Sequence, residues 1–113
     1  MMNQFDHVLA HEFILIELAI RTLERDRKHI DIFKAKYAMD ALFESTIQKA
    51  LKERIEIKNR MGKIGMSLQE EKRIDEFATD YLFKQRGLTE KVTYSNMALR
   101  NHTNMKIQSL FGI

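Results

Sequence analysis

Apolar residues recur at spacings of three and four from about Asp31 to Met66, a stretch without proline, and this periodicity predicts a long helix. Phe43, Ile47, Ala50, Ile57, Met61 and Ile64 fall on one stripe, in which Arg54 is the only polar member. The same periodicity predicts an earlier helix from Asn3 to about Lys28. There Phe5, Leu9, Phe13, Ile16, Ile20 and Leu23 share a face that Val8, Leu15 and Ala19 widen. Glu17 lies off that face, one turn before Arg21, in the orientation of a solvated ion pair. The connection near His29 to Asp31 is short, so the two helices should return antiparallel, with Asp31 as the second N-cap. Unbroken to Ile64, that second helix would be about 50 Å long at about 1.5 Å per residue.

Gly65 suits the left-handed cap that ends the long helix. Ser67 followed by Glu70 has the spacing of a capping box and predicts a third helix over 68–86, with Ile74, Phe77, Ala78, Tyr81 and Leu82 inward and Gly87 at its end. Thr89 would cap a fourth helix over about 90–110. Val92, Thr93, Ser95, Asn96, Asn101, Thr103 and Asn104 are indifferent helix formers, which makes it the weakest of the four. The expected fold is all-α: a single helical domain over 1–113, a small bundle of three to four helices built on a long antiparallel helical hairpin over 3–64.

Composition narrows the function more than the fold. A chain of 113 residues supports one core. Its 44% hydrophobic and 31% charged residues are ordinary for a globular protein. The absence of cysteine removes disulfides, thiolate zinc sites and cysteine nucleophiles together. The first basic residue is Arg21, so the positive start of a signal peptide is missing. The longest apolar run, Phe13 to Ile20, is interrupted by Glu17 and is too short to span a bilayer. A cytoplasmic protein without a membrane partner is therefore expected.

The net charge of +3 is unevenly placed. Lys49, Lys52, Arg54, Lys58, Arg60 and Lys63 stand against Glu53 and Glu56, and after Glu90 the chain has Lys91, Arg100 and Lys106 but no acid. Such charges usually solvate a long helix. A nucleic-acid surface is the alternative, with Lys49, Lys52, Lys58, Arg60 and Lys63 as candidates for phosphate contact. A helix-turn-helix over Glu71 to Phe111 fits poorly, because His102 stands where the turn wants glycine and Asn101, Thr103 and Gln108 occupy apolar places.

Candidate chemistry is sparse. His7 and His11 are one helical turn apart, as two imidazole ligands of a metal would be. The carboxylate-x-x-His pairing of a helical di-iron site occurs only at Asp26 to His29, at the far end of that helix. A metal-binding bundle is accordingly the second alternative, and no cofactor is expected. Glu12 sits within the core face of the first helix and Arg54 within that of the second. A hairpin turning near residue 30 sets position 12 level with about position 47, so the two are expected at the rim with their charges in water, not paired. No second carboxylate, nucleophile or glycine-rich loop stands in relation to Glu12, so no enzyme is expected. Ile14 and Leu18 lie opposite the main core, with His7 and His11, and an extra apolar stripe needs cover. The resulting expectation is a non-enzymatic protein-interaction or regulatory module that self-associates as a two-fold dimer through Ile14 and Leu18, or binds another protein.

Overall fold

The computed structural model describes residues 4–113. Helix α1 (His7–Arg27) is joined through a 3-10 turn (Ile30–Ile32) to α2 (Lys36–Lys63), followed by strands β1 (Met66–Arg73), β2 (Ala78–Gln85) and β3 (Leu88–Ser95) and helix α3 (Asn96–Phe111). The strands form one antiparallel sheet in the order β1-β2-β3. The fold is α+β, which overturns the all-α bundle: the predicted third helix and the start of the fourth are a three-stranded meander.

The long helical hairpin is present. Asn3, where the first helix was expected to start, lies outside the described residues. Helix α1 begins at His7, where the Asp6 carboxylate accepts from the Leu9 amide at 3.0 Å. On α2, Thr46, Ile47, Ala50, Ile57 and Met61 are buried, and Phe43 and Ile64 pack against the same core. Gly65 ends the hairpin with φ of +65°, a left-handed conformation that suits glycine.

The register of the two helices differs from expectation. Their connection covers residues 28–35, Asp31 lies in the 3-10 turn, and α2 starts at Lys36 without a side-chain cap. This longer link slides α2 along α1. Arg27 reaches Asp40 at 2.8 Å and also bonds Glu44, Arg54 reaches Glu17 at 3.2 Å, and Arg60 reaches Glu12 at 2.6 Å. Position 12 is thus level with about position 60. Glu12 and Arg54 each have a partner, though not one another, and Glu17 pairs with Arg54 while Arg21 turns to Glu71. Half-exposed pairs of this kind each contribute about 0–1 kcal/mol and serve mainly to mark the register.

The sheet follows from signals that also fit a helix. Thr79, Tyr81, Phe83 and Gln85 are buried while the residues between them are not, the two-residue period of a strand covered on one face. Leu82 interrupts that alternation in sequence, and the run Tyr81-Leu82-Phe83 suits either period. Arg86 and Gly87, with φ of +48° and +83°, make the two-residue turn that matches the twist of a hairpin. Ser67 and Glu70 form no capping box: a bulge between Leu68 and Glu70 sets them opposite Lys84 and Leu82 on the outer face. Val92, Thr93 and Tyr94 are indifferent in a helix because they are good in a strand. Helix α3 starts six residues later than expected, with the Ser95 hydroxyl accepting from the Ala98 amide and Gly112 at φ of +87° closing it.

Helix α1 is the centre of the molecule. One face packs on α2, and the sheet and α3 cover the other, so Ala10, Ile14, Ile16, Ala19 and Leu23 share one buried cluster with Tyr81, Phe83 and Leu99. Ile14 is 1% exposed within the single chain and Leu18 packs against the same cluster. The stripe assigned to a dimer interface is therefore covered within the chain, where α3 packs on α1 and the sheet shares the same cluster. Gln85 ties the start of the chain to β2, accepting from the Asp6 amide at 3.0 Å and donating to the Gln4 carbonyl at 3.1 Å. Among the described residues no helix is long and apolar enough to cross a membrane.

Candidate functional site

Where the C-terminal half of α1 diverges from α3 and from the β1-β2 side of the sheet, a cleft of about 580 Å³ opens. Helix α1 supplies Leu18, Thr22, Arg25 and Asp26 to it. The strands supply Glu71, Arg73, Thr79 and Tyr81, and one face of α3 supplies Leu99, Arg100, Thr103 and Asn104. Helical spacing brings Leu18, Thr22 and Arg25 to one side, and the pleat brings Thr79 and Tyr81 to another.

The electrostatics of the cleft favour an anion. Arg21 grips Glu71 through two parallel bonds of 2.9 and 3.0 Å, which neutralises that carboxylate at the rim. Asp26 lies 3.5 Å from Arg25. Arg73 donates its Nε to the Asp75 carbonyl at 3.1 Å. Arg100 forms no ion pair among the described residues. Three arginines thus stand against two carboxylates, one of which is already held by a fourth arginine. The Tyr81 hydroxyl, pushed up to about 12 by burial and then by the nearby Glu71, is neutral at physiological pH.

Thr103 is the anomaly of the cleft. It is 6% exposed, and its hydroxyl is buried without a hydrogen-bond partner. Thr46, equally buried in α2, donates back to the Leu42 carbonyl one turn earlier at 2.7 Å. That is the usual resting place of a helical threonine hydroxyl. Thr103 makes no such bond, so a polar group that costs about 1–3 kcal/mol to leave unsatisfied is left without a partner beside an open cleft. Thr79, on the strand side, is satisfied by Asn96 at 2.6 Å.

The other residues singled out in the sequence are dispersed. His7 sets its ring edge-on to Phe5 and is exposed, while His11 turns its Nδ1 to the Tyr94 hydroxyl at 2.9 Å. His102 lies edge-on to His11, with ring centroids 5.5 Å apart. The rings of His7 and His11 thus have different neighbours, and among the described residues no group of three or more His, Cys, Asp or Glu is placed to hold a metal. Of the basic residues on α2, Lys49 donates to the Leu110 carbonyl at 3.3 Å and Arg60 is held by Glu12, whereas Lys52, Lys58 and Lys63 are exposed. The helix-turn-helix reading fails because its first helix is a strand pair. No spacing pattern pointed to Arg25, Arg73, Arg100 or Thr103 as neighbours. Their proximity requires the β1-β2 turn that the helical reading lacked.

His11 gives a pH dependence with a defined sign. Burial, and then the charge of His102, lower its pKa below the ordinary 6.5. The folded state therefore favours the neutral imidazole, and the stability this provides is complete above pH 6.5 and lost as pH falls through the lower folded value. Urea midpoints should fall as pH drops below 6.5, and His11→Gln should flatten the fall. An unchanged slope in that variant would assign the pH dependence to other groups.

The family model described as YhjD protein matches residues 1–113, and the chain belongs to that family. Neither a curated protein nor a solved structure matches it.

Proposed function

We propose that this member of the YhjD family is a non-catalytic binding module that takes a small-molecule oxyanion, a carboxylate or a phosphate, into the cleft between α1, α3 and the sheet. The observation that carries the reading is the unpartnered Thr103 hydroxyl, buried beside the unpaired Arg100. An oxyanion takes the guanidinium through charge-assisted bonds, and rotation of Thr103 about its Cα–Cβ bond would turn the hydroxyl, closed off from the cleft in this structure, toward it as a donor. Arg73 adds positive charge on the strand wall, while the charge of Arg25 is offset by Asp26 beside it. Leu18, Leu99 and the Tyr81 ring give the cleft an apolar side for the body of the ligand. The proposed compartment is the cytoplasm, and no nucleophile or acid–base pair in the cleft calls for a reaction.

Thermal unfolding in inorganic phosphate, citrate and an acidic peptide, each against sodium chloride of equal ionic strength, tests this. A small-molecule site should raise Tm with phosphate or citrate and leave it unmoved by the peptide. Arg100→Ala should abolish the shift, and Lys58→Ala should not. Thr103→Val separates binding from folding: it removes an unsatisfied hydroxyl, so the free protein should gain about 1 kcal/mol while the response to the anion weakens. If no anion raises Tm, or if Thr103→Val responds as the wild type does, the cleft is not such a site.

A further inference from the structure

The tip of the helical hairpin carries a second surface of different character. Ile30 turns inward and is buried, whereas Ile32 is 82% exposed, Phe33 48% and Tyr37 82%. Ile32 lies in the 3-10 turn, Phe33 directly after it and Tyr37 in the first turn of α2. Lys28, Lys34 and Lys36 flank them in sequence and form no ion pair among the described residues. Lys36 sets its ammonium 5.2 Å from the centre of the Tyr37 ring. The acids nearby offset part of this charge: Arg27 holds both Asp40 and Glu44, and its hydrogen bonds lower both carboxyls, while Asp31 forms no ion pair among the described residues, so four cations stand against three carboxylates. The tip is thus an apolar, aromatic point within a net positive collar.

We propose that this tip docks the protein onto an anionic phospholipid surface. The charge pattern selects that partner. Lysines around an aromatic and aliphatic point match the lipid interface, where rings and methylenes lie at headgroup depth and ammonium groups meet phosphate. Each lysine near an anionic leaflet raises the binding constant about fivefold, an effect that fades with salt. The sequence pattern predicts no membrane partner because it tests for a span, and a surface contact of three side chains leaves no such trace. The cleft reaches Arg25 and Asp26 on the same half of α1 that leads into the tip, but none of Ile32, Phe33, Lys34, Lys36 and Tyr37 lines it. The two proposals therefore stand or fall separately.

Co-sedimentation of the full chain with vesicles of phosphatidylcholine alone, and of phosphatidylcholine with phosphatidylglycerol, tests the proposal. Binding is expected only to the second and should weaken as salt is added. The double variant Ile32→Ser with Phe33→Ser should lose roughly tenfold or more in binding, in line with the burial of two apolar side chains at the interface. Lys34→Glu with Lys36→Glu should bind as weakly and with little salt dependence. Because the chain has no tryptophan, Phe33→Trp provides a reporter in an otherwise unaltered protein. Its emission should shift to the blue with the phosphatidylglycerol vesicles alone. No binding to those vesicles, binding that survives loss of Ile32 and Phe33, or a tip that instead makes the protein dimerise in solution would overturn the proposal.

Discussion

Ile14→Glu should unfold the protein. On the apolar pattern alone, glutamates at Ile14 and Leu18 would open a dimer and release a folded monomer. Ile14 is instead 1% exposed inside one chain, in the cluster that joins α1 to the sheet and α3. The substitution removes a buried aliphatic side chain and places a carboxylate where no cation waits. Lost apolar burial and the burial of an unpaired charge together cost about 4 kcal/mol or more. Domains of this size have only about 5–15 kcal/mol in all. Urea unfolding should show a collapse of the midpoint, whereas Ile14→Val, which removes one methyl group, should lose only about 0.5–1.5 kcal/mol. A soluble monomer with the wild-type midpoint would return Ile14 to an interface.

The second large effect distinguishes the strand from the helix at the level of single residues. Phe83→Ala should cost about 3–5 kcal/mol, because the ring is fully buried on the inner face of β2 and packs on Phe5, with centroids 5.7 Å apart. Phe77→Ala should change stability by no more than about 0.5 kcal/mol, since Phe77 is 71% exposed in the turn between β1 and β2. A helix over 68–86 reverses the expectation, with Phe77 and Leu82 inward and Phe83 outside the seam. Measuring both variants by urea unfolding tests the sheet without any further structure. Equal losses, or a larger loss at Phe77, would contradict it.

The contrast between Phe77 and Phe83 also shows how far the sequence could be read. The two long helices were legible because each repeats its apolar period over many turns, and one misplaced residue cannot mask the pattern. The end of α2 was legible at Gly65 for a local reason, a backbone conformation that few other residues accept. The strands are eight residues each, short enough for Leu82 to blur the alternation of β2 and for a bulge to mimic a capping box in β1. Two signals did point to the sheet: the β-branched and aromatic run Val92-Thr93-Tyr94, and the Arg86-Gly87 pair between two apolar-patterned segments.

The candidate site was legible only in part. Surplus apolar residues on α1 announced that a second face needed cover, and residues on one helix could establish that much. Whether the cover is a second chain, α3 or a sheet depends on contacts between residues far apart in sequence. The same holds for the ion pairs, because the length of one connection sets the register of a whole hairpin and moved Glu12 from the level of residue 47 to that of Arg60. It holds for the cleft as well, whose walls come from residues 18–26, 71–81 and 99–104. Local sequence by itself determined the two long helices of the hairpin, their apolar stripes and the glycine that ends it, since periodicity and backbone preference act within a few residues. Tertiary structure alone decided which stripe is core, which charges pair and where Thr103 is left without a partner, because those are long-range consequences of packing the sheet and α3 on α1.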